Sequence, residues 1–138
     1  MTVDATAVGA AYQTRFATDV HTGLADTRKH GVGGTAGMRP HELLEAALAT
    51  CLAITARMAI EQLGFADPTV AVRVWLDRSE VTTTVNYRLT PDHHLDDRQR
   101  RMVAEHLESS PLRRTLTLPL TFTEDRAADH HGQAHLPA

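Results

Sequence analysis

Cysteine is nearly absent, with Cys51 the single one in 138 residues. That excludes an intrachain disulfide framework and a multi-thiolate metal site within one protomer, so any thiol chemistry must run through one sulfur. Aromatic residues make up 4% of the chain, too few to serve as platforms for stacked bases. The net charge is −3 and the lysines and arginines are dispersed, which leaves no basic stripe for a phosphate backbone. Nucleic acid is therefore not an expected partner. No run reaches the ~18 uninterrupted apolar residues of a spanning helix, and the N-terminus lacks a charged stretch followed by an apolar one. The expectation is a cytoplasmic protein without a membrane partner. The Gly33-Gly34 pair lacks the Gly-x-Gly-x-x-Gly and Gly-Lys-Ser/Thr contexts of a phosphate cradle, and no cofactor is implied.

What the chain does have is a hydrophobic content of 42%, enough for one sizeable core in a single domain over residues 1–138. The stretches Met1 to about Gly9 and Asp125 to Ala138 carry no apolar period, so order is expected over about 11–123 with fraying ends. Ala11–Phe16 and Val20–Leu24 are strand-like and suggest a hairpin. Between His30 and Arg39 lie four glycines, which predict a loop with unusual dihedrals or close backbone approach. Pro40 suits the first residue of a helix and Gly64 the position past its end, bracketing a long helix over about 40–63. From Ala46 to Ile54 only Thr50 interrupts its apolar run, so this helix is expected to be buried on all sides.

Val70, Val72, Val74 and Leu76 alternate with other residues, as do Val81, Thr83, Val85, Tyr87 and Leu89 after a turn near 78–80. This predicts an antiparallel hairpin with one buried face. Asp96 and Gln99 form a capping box for a helix over about 97–108, with Met102, Val103, His106 and Leu107 on one stripe. A short turn or helix over 112–116 leads to Leu118–Thr123, the last predicted strand. The fold class is α+β, an antiparallel sheet with a long central helix. A helix apolar all round and covered on one side by a sheet implies a homodimer with this helix near the interface.

The run Gly-Gly-Thr-Ala-Gly-Met-Arg-Pro-His-Glu-Leu-Leu-Glu-Ala-Ala-Leu-Ala-Thr-Cys-Leu-Ala-Ile-Thr at 33–55 resembles the OsmC/Ohr family pattern. There a glycine loop leads through Pro-x-Glu-Leu-Leu into an alanine-rich helix with the first cysteine, and the wording is closest to the OsmC-like branch. Ser-Pro-Leu-Arg-Arg-Thr-Leu at 110–116 is similar to the family's Cys-Pro-Val-x-x-Thr-Leu. The resemblance spans about residues 11–123 and implies an OsmC-like fold in an intertwined homodimer with two interfacial active sites. It also implies that Cys51 attacks a peroxide. Three departures accompany it. Ser110 stands where the family has its second cysteine, so the intramolecular disulfide step is lost. His41 stands at the family's carboxylate position, with Glu42 one residue later, and the family's N-terminal arginine has no match, Arg15 lying past the equivalent region.

Peroxide reduction needs a thiolate, which attacks the O–O bond and becomes a sulfenic acid. Cys51 lies about three turns into its helix, and the helix-dipole field fades within the first turn, so the helix terminus cannot activate it. Its same-face neighbours Ala47, Leu48, Ile54 and Thr55 are uncharged, so a cation must come from another segment or the other chain. The candidates are Arg15, Arg28, Arg39 and His41, with Arg39 and His41 the preferred pair and Glu42 able to orient a cation or act as a base. The competing reading is that Cys51 packs as a small hydrophobe, that Glu42 complements the helix dipole, and that Ser110-Pro111 is a stop signal. A sulfenic acid on Cys51 would need an external thiol reductant or Cys51 of another chain.

The leading expectation is therefore reduction of a small organic hydroperoxide at Cys51. The alternative is a non-enzymatic dimer whose pocket, lined by Leu48, Leu52 and Met58, holds a small apolar ligand. His93-His94 and the tail histidines His130, His131 and His135 lack acidic or cysteine ligands at fixed spacing, and no metal site is expected.

Overall fold

The computed structural model describes residues 2–125. Three short strands open the chain: β1 (Asp4–Ala7), β2 (Thr14–Ala17) and β3 (Thr22–Ala25), antiparallel in the order β1-β2-β3. The β2–β3 hairpin matches the sequence expectation. β1 corrects the expected start of order near residue 11. Its Asp-Ala-Thr-Ala has no apolar side chain larger than alanine and all four residues are exposed, so only backbone pairing to β2 in the register Asp4–Ala17 to Ala7–Thr14 defines it.

The glycine-rich stretch is less irregular than predicted. Strands β4 (Arg28–Lys29) and β5 (Val32–Gly33) pair across a two-residue turn. His30 and Gly31 in this turn both have positive φ, 51° and 79°, the geometry that matches the twist of a tight hairpin. The close approach expected here is present at Gly37, where a Cβ would collide with the Leu24 carbonyl.

This loop is organised by the buried carboxylate of Asp26, 1% exposed. It accepts N–H bonds from Thr27 at 2.7 Å, Gly34 at 3.3 Å and Ala36 at 3.0 Å, and one from Gln13 Nε2 at 3.4 Å. The Ala36 N–H, followed by those of Thr27, Gly34 and Gln13, holds the carboxyl below its ordinary value against an opposing push from burial. A depressed carboxylate stabilises the fold above its unfolded value near 3.8, and that contribution is lost as pH falls through the lower folded value. Thermal melts from pH 6 down to pH 2 are expected to show the wild type losing this increment on acidification. Asp26→Asn should start lower at pH 6 and have a shallower acid slope; parallel curves would contradict the assignment.

The long helix α1 (Pro40–Gln62) begins at Pro40 as predicted and ends at the cap residue Leu63, followed by Gly64 at φ 93°. The hairpin of β6 (Val70–Arg78) and β7 (Thr83–Pro91) packs against it, in a register running from Val70–Pro91 to Arg78–Thr83. Helix α2 (Asp97–Glu108) carries the expected capping box, with Gln99 N–H donating to Asp96 Oδ1 at 2.8 Å and Asp96 N–H to Gln99 Oε1 at 3.0 Å. The core forms where Leu52, Ala56, Ala59 and Ile60 of α1 meet Val103 and Leu107 of α2, with Val70, Val72 and Val74 of β6 packed on it.

By length and composition α1 is long and apolar enough to cross a membrane, its charges Glu42, Glu45, Arg57 and Glu61 lying toward its two ends, yet here it is the central helix of the packed unit. It is not buried all round within one chain: Ile54 is 63% and Met58 56% exposed. Helix α3 (Pro111–Thr117) follows α2. The strand expected at Leu118–Thr123 is not formed, and residues 118–125 have no regular structure. Its alternation of Leu118, Leu120 and Phe122 is real, but all three side chains are exposed and no strand edge among the described residues pairs with them.

Candidate functional site

Cys51 lies on α1 one residue before the buried Leu52, half-buried itself. What faces it is set by the junction of α2 and α3. The end of α2 is closed by Ser109 N–H donating to the His106 carbonyl at 3.0 Å and Ser110 N–H to the Leu107 carbonyl at 3.3 Å. Pro111 then starts α3, and the Ser110 carbonyl accepts the Arg114 N–H at 2.9 Å. Held from both sides and 1% exposed, Ser110 presents its Oγ 3.1 Å from Cys51 Sγ. A hydroxyl donating to sulfur favours the anion, whereas one accepting from a thiol favours the neutral form. The stop-signal reading of Ser110 is thus incomplete, because the residue also contacts the one sulfur.

A cavity of about 390 Å³ borders α1; neither Cys51 nor Ser110 is among the residues that line it. Leu48 and Leu52, which flank Cys51 in sequence, form one wall, with Val85 and Tyr87 of β7 and Leu116 and Arg113 of α3 opposite. Thr83, Thr84 and Thr117 complete the lining. Leu48 and Leu52 thus share a cavity within one chain. Met58 does not line it, because six residues beyond Leu52 it is turned about 120° from that side chain and is 56% exposed.

Arg39, His41 and Glu42 are brought together elsewhere, around a second cavity of about 640 Å³ that also borders Lys29 and Arg78. Glu42 Oε1 accepts from Arg39 Nη2 at 2.7 Å and Nε at 2.9 Å, and Oε2 accepts the Arg39 N–H at 2.9 Å. The Arg39 N–H, then its guanidinium, hold the Glu42 carboxyl below the usual glutamate range. His41 Nε2 meets Arg78 Nη1 at 2.7 Å. Cys51 is nine residues further along α1 than Glu42, about 14 Å of helix rise, and Arg39 lies about 18 Å away by the same measure. Within one protomer these three residues do not reach the sulfur.

Arg15 on β2 and Arg28 on β4 are exposed. His93 Nδ1 contacts Asp92 Oδ1 at 2.6 Å and its ring tilts against Phe65 at 4.9 Å, while His130, His131 and His135 lie outside the described residues. Arg113 was missed by sequence reasoning. The signal was available in principle: on a helix begun by Pro111, residues 113 and 116 share a face, and Leu116 is one of the apolar positions of that segment.

The family described as OsmC-like protein matches residues 32–125, a span holding α1, the β6–β7 hairpin, α2 and α3. The chain belongs to the OsmC-like protein family. Solved structures share the fold. A Psychrobacter arcticus protein provisionally named an osmotic stress induced and detoxification response protein superposes with TM-score 0.66 at 18% identity, over 83% of this chain and 87% of that one. An OsmC-like protein of Mycoplasma pneumoniae gives 0.64 at 14% identity, over 84% and 86%. The organic hydroperoxide resistance protein OhrB of Bacillus subtilis gives 0.57 at 17% identity, over 83% and 90%. No curated protein matches the chain in sequence. Within this OsmC-like fold, Cys51 sits on the alanine-rich helix α1 and meets Ser110 at the junction of α2 and α3.

Proposed function

We propose that this OsmC-like protein reduces small organic hydroperoxides with Cys51 as nucleophile, in the cytoplasm, as part of an oxidative stress response. The observation that carries the reading is the meeting of the chain's one sulfur, on the alanine-rich helix, with the Ser110 hydroxyl at 3.1 Å. The Cys51 thiolate attacks the outer peroxide oxygen, the O–O bond breaks, and the alkoxide takes a proton to leave as an alcohol. Cys51 is then a sulfenic acid. One external thiol condenses with it, releasing water and forming a mixed disulfide; a second thiol regenerates Cys51 and leaves as a disulfide. Two thiols are oxidised for each hydroperoxide reduced. The test is consumption of cumene hydroperoxide by the purified chain with a small-thiol reductant; a rate equal to that of the reductant alone discards the enzymatic reading.

A second reading is favoured by one observation, the engagement of Arg39 by Glu42 and of His41 by Arg78, away from the sulfur. Under it the protein is a non-enzymatic dimer holding a small apolar ligand, and native mass spectrometry of the purified protein would find a co-purified molecule.

Both readings use a homodimer. Its support is the uncovered apolar face of α1 at Ile54 and Met58, together with the unpaired Leu118, Leu120 and Phe122. Burying such surface stabilises association by roughly 25 cal/mol per Å² before the entropic opposition to docking. Light scattering after size exclusion is expected to give twice the 15.1 kDa chain mass, and a monomer would overturn the dimer.

A further inference from the structure

Arg113 is a half-buried cation that has no hydrogen-bond or ion-pair partner among the described residues. Arg39 is paired with Glu42, Arg57 with Glu61 at 2.8 Å and Asp67 at 3.2 Å, and Arg100 with the Leu95 carbonyl at 3.0 Å, whereas the unpaired Arg15, Arg28, Arg73, Arg88, Arg98, Arg101 and Arg114 are exposed to water. A guanidinium partly removed from water and left unpaired is unfavourable, and such groups are normally matched by a carboxylate. Arg113 instead lines the cavity formed by Leu48, Leu52, Val85, Tyr87 and Leu116. The charge that would satisfy it is thus missing among the described residues, at a place where a ligand can supply it.

We propose that this cavity binds a small amphiphilic carboxylate, its apolar body against Leu48, Leu52 and Tyr87 and its head on Arg113. A planar carboxylate fits the guanidinium fork with two parallel hydrogen bonds, a match that a neutral hydroxyl or hydroperoxide cannot make. The side chains of Thr83 and Thr84 border the same cavity and make no hydrogen bond among the described residues, so their hydroxyls remain free to complete the head-group shell. The volume of about 390 Å³ lies at the lower end of the roughly 300–1,000 Å³ typical of small-molecule sites, so the ligand is a short chain or single ring. The inference goes beyond the peroxidase reading and does not depend on thiol chemistry.

Calorimetric titration of the full-length protein with octanoate and with 1-octanol tests it. Octanoate is expected to bind at least ~10-fold more tightly, the effect of one charge-assisted contact. Arg113→Gln should abolish that preference while leaving octanol binding unchanged; Arg113→Lys should retain part of it, and Arg114→Gln, on the adjacent exposed residue, all of it. Failure of either ligand to bind, equal binding of the two by the wild type, or an undiminished preference in Arg113→Gln would each overturn the proposal. Cys51→Ser protein should bind octanoate as the wild type does, so a negative hydroperoxide assay and a negative octanoate titration are separate results.

Discussion

Replacing Cys51 by serine is expected to bring consumption of cumene hydroperoxide down to the rate of the thiol reductant alone. The loss of turnover should be complete, because the chain has no other thiol, and a methionine oxidised by peroxide is not regenerated by a small-thiol reductant. A serine hydroxyl at this position remains protonated at neutral pH, and no base is positioned to activate it: its neighbour would be the Ser110 hydroxyl, itself without a basic partner. The substitution is close to isosteric at a half-buried site and keeps the contact with Ser110, so the melting temperature should stay near that of the parent. That pairing of lost turnover with retained stability separates a chemical role from a packing one. Equal rates for the two proteins would remove Cys51 from the mechanism and leave the ligand-binding reading in place.

How much of this was legible beforehand follows the range of each signal. Helix α1, the β6–β7 hairpin and α2 rest on cues within a few residues of one another: Pro40 and Gly64, two alternating runs, Asp96 with Gln99. Strand β1 has no such cue, because Asp-Ala-Thr-Ala buries nothing and is held by backbone bonds to β2 alone. The segment Leu118–Thr123 fails in the opposite way. Its alternation reports that one face of an extended chain would be apolar, but a strand also needs an edge to pair with, and periodicity says nothing about that.

The site divides along the same line. Leu48 and Leu52, four residues apart, share a helix face and one cavity, whereas Met58, six residues beyond Leu52, is turned away from it. The Cys51–Ser110 contact joins residues 59 apart, and no spacing rule reaches so far; family resemblance alone aligned Ser110 with a second cysteine. The preference for Arg39 and His41 as activators overlooked their neighbours. Glu42, three residues on, and Arg78, on the adjoining hairpin, already occupy them.

The 3.1 Å separation makes one further result large and direct. Ser110→Cys is expected to form a disulfide with Cys51 on mild oxidation, because the two side chains already meet and a modest approach reaches the ~2.05 Å of an S–S bond. The closed loop spans residues 59 apart, for which the chain-entropy model gives a stabilisation of about 4 kcal/mol, an upper value since native strain subtracts from it. Because Ser110 is 1% exposed, the larger sulfur will also crowd its surroundings, and the reduced variant should be less stable than the wild type, by about 1–3 kcal/mol if the site cannot relax. The informative comparison is therefore oxidised against reduced forms of the same variant in urea, with thiol titration falling from two groups per chain to none. Two titratable thiols after oxidation would mean that the sulfur and hydroxyl are not neighbours in solution. If the bond forms, the variant should also turn a Cys51 sulfenic acid into a disulfide without a first external thiol, leaving the reductant only the later step of opening the bond. Turnover that then depends on a dithiol, where the wild type accepts a monothiol, would show that Ser110 in the natural chain moves the resolving step from the protein to the solution.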